Sequence, residues 1–427
     1  MGGVSTPIGI GPVDRARLRL ATLAGDLAAA ASRVARLGTG ASVRGQIIYR
    51  LAPRSFGQLL AGRRVVAVSG TNGKTTTTHL VAAAIRAWLG PDGARRVASN
   101  ADGGNLHQGI VSALAKARRA DIAVLECDEQ VIPGLIRSAR PELLIFLNFS
   151  RDQLDRHHEI AFLARSWRDA LRQAGPDGPT VVANAADPLV VWAAQTAHRV
   201  VWVDAATRWR SDTALCPACG HLLAWHGQPA AWDCPACDLT QPTAAYRLRD
   251  GAITLPDGRT VTPRLQVPGS FNVANAACAL AGAVEFGVPA DQALDGMATV
   301  VSPAGRFAEA SFGATTARLM LAKNPAGWAE MLALAGPSPL VLAIDSAVAD
   351  GQDVSWLWDV DFEHLAGRRV ICTGPRAFDL AVRLTCAGVD HDIIPDVRRA
   401  VTAQPGRVDV MSTYTPFQTL LLKAGLR

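Results

Sequence analysis

Short apolar runs alternate with amphipathic segments along most of this 427-residue chain. Apolar, often β-branched runs indicate buried strands, and apolar residues recurring every three or four positions indicate helices. Strands are predicted at residues 64–69, 122–126, 143–148, 180–184, 340–344, 369–373, 392–394 and 407–411. Helices are predicted at residues 14–37, 76–89, 160–174, 271–286, 377–387 and 414–422. The alternation predicts an α/β fold with a mostly parallel sheet, in which ligands bind at the carboxyl ends of the strands.

The pattern divides the chain into three predicted parts. A helical segment rich in Ala and Arg, residues 1–60, is expected to pack on the next domain, although a basic helix of this kind also suits an anionic lipid surface. Residues 61–300 form a central domain, interrupted at 211–243 by a segment that lacks the α/β pattern. A Pro-Gly segment near residues 301–306 predicts a hinge, and residues 301–427 form a C-terminal α/β domain.

Composition and charge limit the function classes. The chain has 43 basic and 37 acidic residues and a net charge of +6, which is too weakly basic to indicate nucleic acid by itself. Neither a secretory signal nor an apolar stretch of about 18 residues is visible, so we expect a cytoplasmic protein that is not an integral membrane protein. A peripheral position at the inner face of the plasma membrane stays open. Eight cysteines in a cytoplasmic chain are not expected to form structural disulfides.

The sequence VVAVSGTNGKTTTT, beginning at Val65, has the order of strand, Gly-rich turn and helix that a phosphate-binding loop needs. Gly70 and Gly73 allow tight turns that aim backbone N–H groups at an anion, and the helix adds its positive N-terminal end. Lys74 is expected to reach the terminal phosphates, and Thr75 to offer a hydroxyl to Mg²⁺. The candidate ATP-binding residues of this loop are Gly70, Thr71, Asn72, Gly73, Lys74, Thr75 and Thr76.

Two further groups of residues have the chemistry of metal ligands. Glu126 ends the apolar run IAVLE, and a carboxylate at such a strand end commonly holds Mg²⁺. Cys216, Cys219, Cys234 and Cys237 form two C-P-A-C knuckles separated by 14 residues, the spacing of a closed structural Zn²⁺ site. Between residues 211 and 246 the chain has no Lys or Arg, so this zinc ribbon is not expected to bind nucleic acid.

Several motifs resemble those of a known enzyme group. GTNGKTT, residues 70–76, is similar to the phosphate loop of the Mur ligases and folylpolyglutamate synthases, which activate a carboxylate as an acyl phosphate that an amine then attacks. The motif GSFNVAN, residues 269–275, resembles a Mur motif and implies that Asn272 and Asn275 contact nucleotide and phosphates. The segment PAGRF implies that Arg306 meets the γ-phosphate when domains close. In the Mur-like segment from residue 148 to 158, Gln153 replaces a His that would contact metal.

The four-Cys ribbon, the motif KNPAG at residues 323–327 and the motif ADGQDVSWLWD at residues 349–359 resemble a narrower group, the MurT family of lipid II isoglutaminyl synthase subunits. The resemblance implies a Mur ligase-like central ATPase domain with a parallel sheet and an inserted zinc ribbon, followed by a C-terminal Rossmann-like α/β domain. It also implies that ATP phosphorylates the α-carboxylate of D-glutamate in the lipid II stem peptide. Ammonia then displaces phosphate and leaves D-isoglutamine.

The same resemblance implies a partner, a GatD-type glutaminase subunit that forms a heterodimer with this chain and supplies ammonia. One Asp of this chain is implied to complete a Cys-His-Asp triad with the partner, and we assign Asp353, with Asp350 and Asp359 as alternatives that spacing cannot separate. Lys74, Glu126 and Arg306 are the other expected catalytic residues. Asp345, just after a predicted strand, is added to the nucleotide-binding set.

Two other functions remain open at this stage. A stand-alone Mur or folylpolyglutamate-type ligase would join an amino acid to a carboxylate, and it would need an amino acid pocket in its last domain. A zinc-ribbon ATPase that binds nucleic acid would need basic residues near the ribbon, which this sequence lacks there. The sequence shows no nucleophile–base arrangement for glutamine hydrolysis, which agrees with the need for a partner.

Overall fold

The computed structural model describes residues 11–34, 41–100, 104–151, 160–206, 209–227, 230–301 and 307–426. In chain order the strands are β1 Arg64–Ser69, β2 Val97–Ser99, β3 Ile122–Glu126, β4 Leu143–Phe146, β5 Thr180–Asn184, β6 Arg199–Asp204, β7 Ala224–His226, β8 Ala231–Asp233, β9 Tyr246–Arg249, β10 Ala252–Thr254, β11 Thr260–Val261, β12 Phe307–Phe312, β13 Thr315–Leu321, β14 Leu340–Ala343, β15 Val370–Thr373, β16 His391–Ile393 and β17 Gly406–Ser412. The α-helices are α1 Pro12–Val34, α2 Ala41–Leu51, α3 Ser55–Leu60, α4 Lys74–Trp88, α5 Gly93–Arg96, α6 His107–Lys116, α7 Ile132–Ala139, α8 Ile160–Ala174, α9 Pro188–Ala194, α10 Ser270–Glu285, α11 Ala290–Ala298, α12 Pro325–Ala333, α13 Ala377–Cys386, α14 Val397–Thr402 and α15 Tyr414–Lys423.

The first sheet has nine strands in the order β11-β10-β9-β6-β5-β4-β1-β3-β2. The pairings from β2 across the sheet to β9 are parallel, and those of β10 with β9 and with β11 are antiparallel. Its central strands are buried on both faces, because α4, α10 and α11 cover one side while α6, α7, α8 and α9 cover the other. Such double coverage explains why these strands are continuous apolar runs rather than alternating ones.

The second sheet has six strands in the order β12-β13-β17-β14-β15-β16. All its pairings are parallel except that of β12 with β13. Helices α12 and α13 cover one face, and α14 and α15 cover the other. The carboxyl ends of β14, β15 and β17 therefore meet at one edge, where Asp345 and the segment from residue 349 to 359 follow β14.

The N-terminal helices pack through small residues. A side chain at Gly25 of α1 would place its Cβ 2.9 Å from Ile48 Cγ1 of α2. A side chain at Gly45 of α2 would place its Cβ 1.8 Å from the backbone oxygen of Gln108 in α6. Because Cβ atoms cannot approach so closely, both glycines are needed for α1 to lie on α2 and for α2 to lie on α6.

The predicted strands and long helices are present, with ends displaced by one or two residues in most cases. The sequence prediction did not include the strands β2 and β6 to β13, or the helices α2, α3, α5, α6, α7, α9, α11, α12 and α14. The boundaries proposed at residues 60 and 300 stay predictions. Residues 35–37 of the first predicted helix and residues 302–306 of the predicted hinge lie outside the described residues. Within the described ranges, no helix has the length and apolar character needed to cross a membrane.

Candidate active site

The phosphate loop connects β1 to α4 at the carboxyl edge of the first sheet, and Lys74 is the first residue of α4. Gly73 has φ of 87°, and a Cβ there would lie 2.2 Å from Asn275 Oδ1. Gly70 has φ of 141°, and a Cβ there would lie 2.9 Å from the backbone nitrogen of Asn148. Both glycines thus combine a positive φ with a close approach that no larger residue allows, which explains this part of the motif.

The segment after β4 holds the loop from one side. Asn148 accepts a hydrogen bond from the Asn72 backbone N–H at 2.9 Å and donates one to the Asn72 carbonyl at 3.0 Å. The Thr71 hydroxyl donates to the Ser150 carbonyl at 3.1 Å and accepts from the Ser150 N–H at 3.1 Å. The Asn72 side chain also donates to the Ser150 hydroxyl at 2.9 Å. We call Asn148, Phe149 and Ser150 the strap, because these bonds fix the shape of the loop.

Lys74 is buried beside an acid that the sequence analysis did not select. Its ammonium lies 3.2 Å from Glu129 Oε2 and 3.2 Å from the Thr71 carbonyl oxygen. Burial favours the neutral form of Glu129, but the charge of Lys74 and hydrogen bonds from the backbone, Lys74 and Thr71 together outweigh it and hold the pKa of that carboxyl below its usual value. The two residues therefore form a buried ion pair. The run ECDE after β3 was the available signal, but it did not distinguish Glu129 from its neighbours.

Glu126 and Thr75 lie at the same edge of the sheet. Glu126 is the last residue of β3, is buried, and pairs in register with Val68 of β1. Its backbone is fixed by Asn100, which accepts from the Glu126 N–H and donates to the Glu126 carbonyl, both at 2.8 Å. Thr75 lies on the half-exposed side of the first turn of α4, and its hydroxyl has no hydrogen-bond partner among the described residues. Both side chains carry oxygen, the donor atom that Mg²⁺ prefers.

The helix α10 contributes Asn272 and Asn275, both buried and one turn apart. Asn275 donates to Asn272 Oδ1 at 3.3 Å, and its own Oδ1 is the atom that a side chain at Gly73 would meet. The structure therefore brings this pair to the phosphate loop. Thr76 is buried in the same turn of α4 as Lys74.

A second contact to the loop comes from the C-terminal part. Asn324, the N-cap of α12 in the motif KNPAG, donates from Nδ2 to Asn72 Oδ1 at 3.2 Å. Asp345 makes local bonds instead: its backbone N–H donates to the Thr413 hydroxyl at 3.0 Å, and its Oδ1 accepts from the Ala347 N–H at 2.9 Å. Its assignment to the nucleotide stays a prediction. Arg306 and Gln153 lie outside the described residues.

The three acids considered for the partner have different surroundings. Asp350 is buried and accepts hydrogen bonds from the backbone and hydroxyl of Thr415 at the start of α15. Asp359 forms an ion pair with Arg151 at 3.3 Å. Asp353 is exposed and accepts from Ser355, at 2.8 Å from its N–H and 2.9 Å from its hydroxyl. The hydrogen bond from the Ser355 backbone N–H has the larger effect and that from its hydroxyl the smaller. Together they hold the pKa of Asp353 below its usual value, so this exposed acid stays ionised.

Arg151, the residue after the strap, joins three segments. Its backbone N–H donates to Asp212 Oδ2 at 3.1 Å, and its guanidinium binds the other oxygen of the same buried carboxylate. A second nitrogen of the guanidinium reaches Asp359 in the C-terminal part. The Arg151 side chain therefore contacts both the start of the Cys-rich segment, at Asp212, and the C-terminal part, at Asp359.

The four cysteines converge. All four sulfur atoms lie within 4.8 Å of one another, with 3.6 Å between those of Cys216 and Cys237 and 3.5 Å between those of Cys219 and Cys234. A tetrahedral site with Zn–S bonds of about 2.3 Å requires sulfur separations of about 3.8 Å, so the observed spacing suits zinc. Trp232 of the β7–β8 hairpin is buried in the same cluster and donates to the Ala185 carbonyl at 3.1 Å. This bond holds the segment against the first sheet.

Comparison with known proteins places these features in a family. Residues 68–214 match the family Mur ligase middle domain, and residues 321–417 match the family MurT ligase C-terminal. The chain is 30% identical over 356 residues to the MurT subunit of the glutamine-hydrolysing lipid II isoglutaminyl synthase of Staphylococcus aureus strain COL, covering 77% of this chain and 79% of that one. The chain belongs to the MurT family.

A second MurT relative, from Streptococcus pneumoniae strain R6, is 28% identical and covers 89% of this chain and 90% of its own length. Among solved structures, a pseudomurein peptide ligase type C from Methanothermus fervidus superposes with a TM-score of 0.62 at 17% identity, covering 86% of this chain and 79% of that one. This likeness shows a Mur ligase-like α/β fold with parallel sheets. The predicted resemblance to MurT is confirmed, and the stand-alone ligase is the weaker interpretation because the C-terminal match is to MurT.

The sequence analysis missed several residues that contact the phosphate loop or its neighbours. Ser150, Glu129, Asn100 and Asn324 shape the loop or its surroundings, and none stood out as a site residue. Asn324 was within the quoted motif KNPAG, so its signal was present without an assigned contact. The other three act through backbone bonds or burial, which spacing along the chain does not reveal.

Proposed function

We propose that this chain is the synthetase subunit of a two-subunit amidotransferase, which converts the α-carboxylate of D-glutamate in the lipid II stem peptide to the amide of D-isoglutamine. The observation that carries the proposal is the similarity to MurT subunits over most of both chains, including the C-terminal part. In this reaction the carboxylate attacks the γ-phosphorus of ATP and ADP leaves. Ammonia then attacks the acyl phosphate carbon and inorganic phosphate leaves, so the carboxylate oxygen departs with the phosphate.

The phosphate loop is the proposed ATP site. Backbone N–H groups between Gly70 and Thr76, with the N-terminal end of α4, would surround the phosphates. Lys74 would exchange its contact with Glu129 for one with the terminal phosphates, so the buried ion pair stores a cation close to where charge develops. Asn272 and Asn275 would contact the nucleotide from α10, and Arg306 and Asp345 are proposed from the family resemblance alone.

Thr75 and Glu126 would hold Mg²⁺. Their fit rests on the half-exposed Thr75 hydroxyl and on the buried carboxylate at the end of the adjacent strand, both oxygen donors. Mg²⁺, when bound, supplies charge neutralisation on the phosphates. The chain's own contribution is to fix the Glu126 backbone through Asn100, which orients the carboxylate before the ligand arrives.

The ammonia source is proposed to be a GatD-type glutaminase subunit, with Asp353 completing its triad by orienting the catalytic His. Asp353 is the acid of the three that is exposed without a charged partner among the described residues, whereas Asp350 holds α15 and Asp359 holds Arg151. Trp358, 58% exposed in the same segment, is a suitable aromatic anchor for such an interface. The proposed location is cytoplasmic.

We also propose that Cys216, Cys219, Cys234 and Cys237 bind one structural Zn²⁺ in an inserted ribbon, with the second sheet forming a Rossmann-like domain. The sulfur separations and the Trp232 anchor support this proposal. Because all four ligands come from protein, the site would be closed, and it would stabilise the ribbon rather than act in amidation.

The test is to incubate the chain with ATP, Mg²⁺ and lipid II, with ammonium chloride or with glutamine and a co-purified glutaminase subunit. Mass spectrometry of the stem peptide distinguishes acid from amide. The proposal requires amidation with ammonium alone, and with glutamine only when the partner is present. ATP turnover that depends on a free amino acid, without amidation, would instead support the stand-alone ligase.

A further inference from the structure

The outer face of α1 carries a row of large apolar side chains. Val13, Leu20, Leu23, Leu27 and Val34 recur at spacings of seven, three, four and seven residues, which places them on one side of a helix. Leu20, Leu23 and Leu27 are 69, 57 and 65% exposed. We call these five residues the α1 row. Single exposed apolar residues are ordinary, but several large ones along one side of a helix, three of them on successive turns, indicate an interaction surface.

The row is not needed to hold α1 on the protein. The opposite face, with the small buried residues Ala21, Gly25 and Ala29, makes the contact with α2. Gly25 allows the two helices to approach closely, as its position against Ile48 shows. Helix α1 is therefore anchored through one face while the other presents its leucines to solvent.

Charge is distributed unequally beside the row. Arg15, Arg19 and Arg33 lie on one flank of α1, by their positions on a helix of 3.6 residues per turn, and make no ion pair among the described residues. The two acids of the helix, Asp14 and Asp26, are each paired with arginines of other segments. The flank is consequently cationic, with its negative charges already neutralised from within the protein.

We propose that α1 binds in the plane of an anionic membrane surface, with the α1 row in the acyl boundary and the basic flank on lipid phosphates. A membrane offers both hydrocarbon and phosphate, whereas a second copy of the helix would give the row an apolar partner but the arginines no anions. Other surfaces can also combine apolar groups with anions. We choose a membrane because the proposed substrate is anchored in lipid, so this inference rests on the proposed function.

The placement of α1 suits this role. Arg17 of α1 donates to the Leu51 carbonyl at the C-terminal end of α2, and the Tyr49 ring lies 5.9 Å from that of His107, the first residue of α6. Since α6 follows β2, its first residue lies on the same edge of the sheet as the phosphate loop. The N-terminal half of α1 thus lies toward the catalytic edge.

The test is flotation of the full chain with vesicles of phosphatidylcholine alone or mixed with phosphatidylglycerol, without nucleotide or substrate. We expect binding to the anionic vesicles that weakens with salt. The triple variant Leu20→Gln/Leu23→Gln/Leu27→Gln should lose at least about tenfold in binding, since three large apolar side chains leave the acyl boundary. The double variant Phe378→Gln/Val382→Gln is the matched control, because these residues of α13 are exposed to a similar extent, and it should bind as the native chain does.

The variant Arg15→Gln/Arg19→Gln/Arg33→Gln tests the charge. Each basic residue near an anionic surface contributes about 1 kcal/mol, so three together should change binding by on the order of a hundredfold. Binding to phosphatidylcholine alone should change far less. Each variant should keep the native melting temperature, since every substituted side chain is exposed and outside the contact with α2.

Failure of the native chain to float, or equal flotation of the leucine variant, would overturn the proposal. The proposal would also be overturned if the native chain is a dimer that binds no vesicles and the leucine variant is a monomer. That result would assign the α1 row to contact with a second copy of the chain. Failure of the proposed function is distinguishable from failure of this proposal. If the native chain floats with vesicles but amidates neither lipid II nor a water-soluble stem peptide without lipid, the membrane role of α1 stands and the amidation is refuted. With the function intact, the leucine variant should amidate that soluble peptide at the native rate.

Discussion

Replacing Gly73 by Ala should disturb the phosphate loop more than an ordinary glycine substitution. The new Cβ would lie 2.2 Å from Asn275 Oδ1 and 2.9 Å from its Cγ, at a backbone φ of 87°. An L-residue in this region costs about 1 kcal/mol. Displacing the buried Asn275 breaks its bond to Asn272, which adds about 1–2 kcal/mol. We therefore expect a loss of about 2–3 kcal/mol in the free energy of unfolding.

Gly62 provides the control, because its φ is 77° and a Cβ there would meet nothing within 4 Å. Gly62→Ala should cost only the backbone part, about 1 kcal/mol. At about 2–4 °C per kcal/mol, calorimetry should show a melting temperature lowered by roughly 2–4 °C for Gly62→Ala and by roughly 4–12 °C for Gly73→Ala. ATP affinity, measured by titration calorimetry, should fall at least about tenfold for Gly73→Ala alone, because only this substitution moves the loop.

The double variant Gly73→Ala/Asn275→Ala isolates the collision. Removing the Asn275 amide makes room for the new methyl group, so the double variant should lose less stability than the two single variants summed, by about 1 kcal/mol or more. Equal effects of Gly73→Ala and Gly62→Ala, or additivity within about 0.5 kcal/mol in the double variant, would refute the role assigned to this contact.

Three further outcomes follow from the site. Lys74→Ala should abolish ATP-dependent amidation while the fold persists by circular dichroism; retained activity would remove the loop from the mechanism. Asp353→Asn should stop glutamine-driven amidation and spare the ammonium-driven reaction, whereas Asp350→Asn should lower the melting temperature because Thr415 loses one of its two acceptor oxygens. Cys216→Ser should release zinc, measured by elemental analysis, and the exposed Cys386→Ser should not; unchanged metal content in the first variant would refute the four-sulfur site.

Local sequence patterns predicted much of the central framework. The strand before the phosphate loop, residues 64–69, and the helix at residues 160–174 have the bounds observed, because continuous apolar runs and helical periodicity act over short distances. The strands β9 to β11, at one end of the first sheet, were missed because each has only two to four residues. So short a strand carries little periodic signal, and its pairing depends on a distant neighbour.

The candidate site was predictable in its residue types and incompletely in its contacts. Gly73 and Lys74 belong to a contiguous motif whose chemistry is local. The choice among Asp350, Asp353 and Asp359 could not be made from spacing, because their difference lies in Thr415 and Arg151, which are remote in sequence. Burial and long-range pairing therefore determine which acid is available to a partner, and these are properties of the fold.

The strap has a thermodynamic consequence for nucleotide binding. Asn148 and Ser150 hold Thr71 and Asn72 through hydrogen bonds made within the protein, including one from the Thr71 backbone N–H to the Asn148 carbonyl. The loop is therefore ordered when the protein folds, and the conformational entropy of ordering it is lost in folding rather than in nucleotide binding. In the proposed ATP site, nucleotide would meet a loop that is already arranged, so the strap would set part of the affinity for ATP through preorganisation.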